Sequence, residues 1–246
     1  MELRKVLNKF SSDLQKIIIP NLKYSQDIFE EFLKNTLKED SKWLDLGCGH
    51  QILPVWRFSN EKKIVKIPKQ IVGFDYNFSS LKKHKTIINK VRGDISYLPF
   101  KDDTFDVVTS NMVLEHLKEP IIQFREIYRI LKPGGEFIFH TPNAYGYTTL
   151  IGQIVPDILK NKLVYFLQMR KEEDIFPTYY RINSVKNIKT VSQQCGFRIK
   201  RIKLIASTPQ FSMLPILLFF EMLWLKLTMK KKLKMFRTNI IAHIIK

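Results

Sequence analysis

Short apolar runs recur along the first 140 residues, and between them the apolar positions change to helical spacing. Lys42-Trp43-Leu44-Asp45-Leu46, Gln70–Asp75, Phe105–Ser110 and Glu136–His140 read as buried strands. Residues 2–37 read as helical, with Asp27-Ile28-Phe29-Glu30-Glu31-Phe32-Leu33 the clearest part. Ile121–Leu131 places Ile122, Phe124, Ile127, Tyr128 and Leu131 on one helix face, and Lys132-Pro133-Gly134-Gly135 reads as a helix stop and tight turn. Strands alternating with helices predict a parallel sheet covered on both sides. No internal repeat interrupts this order. Beyond Pro142 the pattern loosens. Tyr145–Arg181 reads as mostly helical and aromatic-rich, Phe197–Ile205 as an added strand, and Phe211–Lys246 as an apolar block followed by a basic one.

Composition narrows the class. With 246 residues, 45% hydrophobic and 26% charged, the chain can bury one sizeable α/β core with additions, or two small domains. A disordered tail, a collagen-like repeat and a disulfide scaffold are excluded. Cys48 and Cys195 match no zinc spacing, so two reduced thiols and no metal site are expected. Met1–Pro20 has no long apolar core of the secretory type, so a cytoplasmic protein is expected. The net charge of +18 is uneven: residues 1–150 carry 23 basic against 18 acidic side chains, and residues 151–246 carry 18 against 5. Lysines outnumber arginines 31 to 10, whereas readers of nucleic-acid sequence favour the arginine fork.

The chemistry gathers at Asp45-Leu46-Gly47-Cys48-Gly49-His50, between the first strand and the expected helix Ile52–Phe58. Glycines let a ligand approach the backbone, and a helix starting there would offer amide hydrogens and a positive dipole end. A dinucleotide fingerprint is disfavoured because Ile52 stands where the third glycine belongs, and no Walker lysine follows. Three acids distinguish the pattern: Asp45 inside the glycine motif, Asp75 ending the second strand, and Asp94 in Arg92-Gly93-Asp94-Ile95. An acid at the end of the second strand can accept both hydroxyls of a ribose. Asp94 can accept from an adenine amine while Ile95 covers a ring face. A carboxylate in the first loop suits a cationic amino-acid end better than a pyrophosphate.

With Val72-Gly73-Phe74-Asp75, Leu98–Val108, Val113-Leu114-Glu115-His116-Leu117 and Leu131–Gly135 in order behind that motif, the stretch from about Tyr24 to Asn143 resembles the class I S-adenosylmethionine-dependent methyltransferases, in particular the type 11-like domain. The resemblance implies a doubly wound, mostly parallel, seven-stranded Rossmann-like sheet with a reversed last strand, and S-adenosyl-L-methionine as methyl donor. It implies that Asp45, Gly47 and Gly49 line the methionine end, that Asp75 with Tyr76 beside it holds the ribose, that Asp94 and Ile95 hold the adenine, and that Asn111 flanks the cofactor. Many members of the family have a further glycine where this chain has Gln51.

The expected organisation is N-terminal helices over 1–40, a methyltransferase core over 41–205 with a helical cap insertion at about 144–183, and an apolar and basic extension over 206–246. A hydroxyl acceptor would need a base, and His116 and His140 are the candidates at strand ends. Glu172–Asn183 mixes acids, tyrosines and an arginine where such folds insert a substrate cap. Tyr179, Tyr180 and Arg181, with Tyr145, are therefore the candidate acceptor contacts, suited to a small, glycan-like or lipid-linked molecule. An RNA acceptor, or a protein that binds the donor without catalysis, are the alternatives. The RNA reading lacks an Asn-Pro-Pro-Tyr tetrad, since Ser110-Asn111-Met112-Val113 stands in its place. Residues 214–237 join Trp224 and an apolar run to clustered lysines. The run is too short and interrupted to span a bilayer, so the block suits either peripheral contact with the inner face of the membrane or a cap helix packed on the core or in a dimer, ahead of a solvated basic tail.

Overall fold

The computed structural model describes residues 2–155 and 176–246. Its helices are α1 (Glu2–Ile18), α2 (Ser25–Thr36), α3 (Phe58–Ile64), α4 (Phe78–Lys83), α5 (Pro120–Ile130), α6 (Tyr147–Ile154), α7 (Val185–Gln194) and α8 (Pro215–Thr228). Its strands are β1 (Lys42–Leu46), β2 (Gln70–Asp75), β3 (Asn89–Arg92), β4 (Phe105–Asn111), β5 (Leu131–Pro142), β6 (Arg198–Ile205) and β7 (Asn239–Ile245). They form one seven-stranded sheet in the order β3-β2-β1-β4-β5-β7-β6. The ladders from β3 to β5 are parallel. β7 runs the other way: Lys246 at its far end exchanges backbone hydrogen bonds with Gly134 and Gly135 at the start of β5, and Thr238 before it accepts from Asn143 after β5. This is the doubly wound sheet with a reversed last strand that the motifs imply.

Several expectations are corrected. The helix expected over 2–37 is two helices, because Pro20 has no amide hydrogen to continue α1 past Ile18. Lys132–Gly135 is not a turn outside the sheet. It is a bulge within β5, where the register jumps from Phe105–Leu131 to Val107–Glu136 and Gly134 takes φ +77°. The basic tail hides β7, which lies inside the segment expected to be an extension: Asn239-Ile240-Ile241-Ala242-His243-Ile244 is buried throughout. β3 was not expected, since Asn89-Lys90-Val91-Arg92 has one apolar residue and lies at the sheet edge. Of the helical stretch expected over Tyr145–Arg181, α6 forms, residues 156–175 lie outside the described residues, and 176–184 are not helical.

Contacts divide the chain into two compact units. One comprises 26–141, 178–203 and 240–246 and holds the sheet core. Trp43, Phe74, Phe124, Phe137 and Phe139 are fully buried there. The Phe124 ring meets Phe137, Phe139 and Phe197 edge-on at centroid distances of 5.5, 5.9 and 6.1 Å. Each such ring contributes about 1.5–3 kcal/mol by burial, and edge-on geometry adds to that. The other unit comprises 1–25, 142–177 and 204–239. Its described core joins Ile19 and Leu22 to Ala206, Leu218, Met222 and Leu225.

Candidate active site

The glycine turn is held by its neighbours more than by a following helix. Parallel pairing of β1 with β2 and β4 sets Asp45 opposite Gly73 on one side and Thr109 on the other. Trp43 Nε1 donates to Thr109 Oγ1 at 2.7 Å, and the Thr109 hydroxyl donates to Asp45. The Asp45 carboxyl is 2% exposed, and burial raises its pKa to about 8 against the lowering effect of the Thr109 bond; the charges of Glu61 and Asp75 push the same way as burial. The turn that follows donates into the end of β2. Gly47 N and Cys48 N reach Phe74 O, and Gly49 N reaches Asp75 Oδ2 at 2.8 Å. Both cysteines are buried free thiols, and burial raises the pKa of each.

The helix expected at Ile52–Phe58 begins only at Phe58, after a short 3-10 turn over Val55–Arg57. The amides that such a helix would have offered are taken by Glu61, whose Oε2 accepts from Ile52 N at 3.0 Å and Leu53 N at 2.9 Å. Arg57 and Asn60 are fixed from the other side by the Glu30 carboxylate. With amides of residues 47, 48, 49, 52 and 53 engaged inside the protein, this loop is poorly suited to cradle a phosphate. Neither Glu61 nor Glu30 was identified from the sequence. Glu30 also pairs with Lys34 one helical turn on, but the loop contacts of the two acids lie 8 to 30 residues away, and no local pattern marks those.

The donor implied by the resemblance fits the turn. Gly47 has φ +68°, and a Cβ there would stand 2.2 Å from Val113 Cγ2, so its glycine serves the fold. Gly49 has φ +53°, and a Cβ there would meet nothing within 4 Å. That open space lies at the residue whose amide is held by Asp75. The Asp75 carboxylate accepts from Gly49 N and from Asn77 N at 2.7 Å, one bond to each oxygen. A second lone pair on each oxygen is left for two hydroxyl donors. Tyr76 is exposed beside it. Asp94 is exposed, with Oδ1 accepting from Ser96 N at 2.8 Å, and Ile95 is half-buried.

Asn111 and His140 form one network with Gln26 of α2. His140 Nδ1 lies 2.8 Å from Asn111 Oδ1, which also accepts from Gln26 Nε2 at 3.2 Å. Asn111 Nδ2 donates to Gln26 Oε1 at 3.0 Å and to Ile52 O at 2.9 Å. The polar atoms of Asn111 are thus all engaged within the protein. An acceptor at Asn111 Oδ1 requires the proton of neutral His140 on Nδ1. Its Nε2 is buried without a partner, and burial lowers its pKa to about 3. At 1% exposure His140 does not fit the expected role of a base that an acceptor reaches; it orients Asn111 instead. Gln26 was missed, since a glutamine in a helix carries no signal of its own.

His116 remains accessible, with 28% of its side chain exposed and Nε2 3.9 Å from Glu115 Oε1. The backbone amides of Tyr179 and Tyr180 both donate to Glu115 O, and Arg181 donates to Lys118 O. The expected acceptor residues 179–181 are therefore fixed to the loop that carries His116. Lys118 and Arg181 lie over the Tyr179 ring at 5.6 and 5.9 Å. Met112 and Tyr180 hold positive φ, +59° and +51°, which is uncommon for bulky side chains and concentrates at functional positions. Tyr145 is exposed on the loop before α6, in the other compact unit. Glu172, Glu173 and Asp174 of the expected cap lie outside the described residues. Among the described residues no cluster of His, Cys, Asp or Glu could hold a metal ion.

Comparison with known proteins places this geometry in context. Residues 44–139 match a family model described as a methyltransferase domain. An uncharacterized methyltransferase of Schizosaccharomyces pombe is 31% identical over 113 residues, 42% of this chain and 41% of the relative. A demethylmenaquinone methyltransferase of Lactiplantibacillus plantarum is 32% identical over 111 residues, 42% of this chain and 45% of the relative. The chain thus spans less than half the length of these curated relatives. A crystal structure of an S-adenosylmethionine-dependent methyltransferase from Mesorhizobium loti superimposes with a TM-score of 0.55 at 18% identity, over 88% of this chain and 96% of that one.

Proposed function

We propose that this chain, which carries a class I S-adenosylmethionine-dependent methyltransferase domain, transfers the methyl group of S-adenosyl-L-methionine to a hydroxyl of a small, glycan-like or lipid-linked acceptor. The observation that carries the reading is the Asp75 clamp. One carboxylate holds the glycine turn and keeps two lone pairs for a ribose, beside an opening at Gly49 that any side chain would reduce. The match to the demethylmenaquinone methyltransferase covers less than half of either protein, so its acceptor is not carried over.

The bound donor supplies an electrophilic methyl group on a sulfonium, and the protein supplies alignment and exclusion of water. Asp45, Gly47 and Gly49 would line the methionine end, where the Asp45 carboxyl, buried and held by Thr109, would act on an ammonium through its charge rather than by direct contact. Asp75, beside Tyr76, would accept from the ribose, and Asp94 with Ile95 would take the adenine. Asn111 keeps the Ile52 backbone in place through its bond to that carbonyl. His116 would receive at Nε2 the proton that the acceptor hydroxyl loses, with the Glu115 carboxylate 3.9 Å from that nitrogen. Tyr179, Tyr180 and Arg181 would hold the acceptor on the same loop. Positioning of this kind lowers a barrier by roughly 7–11 kcal/mol.

The test begins with calorimetric titration of the protein with S-adenosylhomocysteine. Labelled donor is then supplied with separate pools of lipid extract, oligosaccharide and RNA. Label in lipid or oligosaccharide that disappears in His116→Ala, with donor binding intact, is the expected result. Label in RNA would replace the proposed acceptor class, and binding without transfer to any pool would leave a donor-binding protein.

A further inference from the structure

Helix α8 is apolar on two sides, and among the described residues it is packed on only one. Leu218, Met222 and Leu225 are fully buried in the core of their unit. Ile216, Phe220, Leu223 and Leu227 recur at the i, i+4, i+7, i+11 spacing of a single helix face, and all are exposed, Ile216 at 77% and Phe220 at 63%. Phe219 widens the stripe at 47% exposure. Helix α1 of the same unit is inverted in the same sense. Its polar Ser11 and Gln15 are buried, whereas Leu3, Val6 and Phe10 are exposed. Single exposed apolar residues are ordinary on a protein surface, but a contiguous stripe marks an interaction site.

The charges beside the stripe identify what it meets. Lys226, Lys230, Lys231, Lys232 and Lys234 are all exposed. The single acid between 215 and 237, Glu221, is buried and accepts hydrogen bonds from Gln210 N, Phe211 N and the Tyr147 hydroxyl. Arg237 is turned inward, donating to the carbonyls of Thr228, Leu204 and Met229. Every exposed charge of this segment is therefore positive. A second copy of the same face would bring lysines against lysines, and interface cores are depleted in lysine. An anionic lipid surface satisfies both features, with apolar residues in the acyl boundary and lysines over the head groups. With 14 residues α8 is shorter than the ~20 needed to span a bilayer, so it would lie in the plane of the surface.

We propose that the exposed face of α8, with the lysine-rich turn after it, docks the protein on membranes that contain anionic lipid. The proposal goes beyond the methyl-transfer reading and uses none of its residues. The expected binding has two components: lysine attraction that weakens in salt, and apolar insertion that does not.

The test is sedimentation of the full chain with vesicles of phosphatidylcholine alone and of phosphatidylcholine with phosphatidylserine. The protein should sediment with the mixed vesicles and be partly released at 1 M salt, where the Debye length falls to ~3 Å. Replacing Lys230, Lys231, Lys232 and Lys234 by Gln should weaken this binding by about tenfold or more. Ile216→Asp with Phe220→Asp should abolish the salt-resistant fraction. These residues are exposed, so the melting temperature and S-adenosylhomocysteine binding should be kept in both variants. Protein that stays in the supernatant with mixed vesicles at low salt overturns the proposal. So does sedimentation unchanged in both variants. A dimer in light scattering that Phe220→Asp dissociates, without vesicle binding, assigns the face to a second copy instead. Loss of S-adenosylhomocysteine binding by the native protein, with vesicle binding intact, would overturn the methyl-transfer reading and leave this one standing.

Discussion

Asp75 Oδ2 accepts the amide hydrogen of Gly49 at 2.8 Å, which ties the end of β2 to the tip of the loop after β1. The same carboxylate that is suited to a ribose therefore shapes the opening at Gly49. Asp75→Ala should lose donor binding twice over: the hydroxyl contacts go, and the loop is released. Each charge-assisted hydrogen bond contributes about 1.5–3 kcal/mol, so affinity for S-adenosylhomocysteine should fall by a factor on the order of 100 or more in calorimetry. Unchanged affinity would remove Asp75 from the site.

The two glycines of the turn should separate stability from binding. Gly47→Ala forces a Cβ to within 2.2 Å of Val113 at positive φ, so the melting temperature should drop by several degrees, a loss of about 2–4 kcal/mol. Gly49→Ala meets no atom and carries only the backbone strain, about 1 kcal/mol. Its methyl group would stand in the open space, so donor affinity should fall more than stability does. Equal effects of the two substitutions on both measurements would contradict this division.

Donor binding should depend on pH through Asp45. In the free protein its carboxyl titrates at about 8, well above the ordinary value, so it is mostly protonated at neutral pH. An ammonium group bound nearby would favour the ionised form through its charge. Affinity should then rise with pH, by up to about tenfold per unit below pH 8, with release of a proton on binding. Asp45→Asn should flatten the profile. For the free protein the sign is opposite: a raised carboxyl favours the fold at low pH and loses that contribution as pH rises from about 4 to 8.

Two buried histidines make the fold acid-sensitive. Burial is the main cause that lowers His140 to about 3 and His84 to about 4. Both favour the folded state fully above the ordinary histidine value, and that contribution is lost as pH falls from about 6.5 toward 4. Each costs at most about 1.4 kcal/mol per pH unit in that window. Melting temperature measured from pH 7 to 4.5 should fall, and His84→Gln should reduce the slope. A flat profile would show that these rings are not held neutral.

The strands that follow a hydrophobic run into a turn were legible in the sequence, since Trp43-Leu44 and Val107-Val108 must be buried on both faces wherever the helices lie. The acids of the proposed site are equally plain, because Asp45 and Asp75 sit at strand ends in a fixed order. The residues that hold the site were not. Glu61, Glu30 and Gln26 reach Leu53, Arg57 and Asn111 across 8, 27 and 85 positions, and each looks like an ordinary polar residue of a helix. A strand-end position leaves open which way His140 points, and its contacts with Asn111, Gln26 and Phe29 show that it faces inward. β7 was hidden by the lysines before it, which drew attention to charge and away from Ile240, Ile241 and Ile244.

The position of β7 has a consequence for how the chain folds. β6 joins the sheet only through β7, which lies between it and β5 although it comes later in the sequence. β6 therefore reaches the rest of the sheet only when residues 239–245 have crossed back to the strand at 131–142, about a hundred positions earlier. The ladders from β3 to β5 close over shorter loops and can form first. Docking of β7, and with it β6, is the slow, non-local step. Until it is complete, the β5 edge is an unpaired template open to any extended chain, so a mutation that weakens β7 should show itself first as aggregation during refolding.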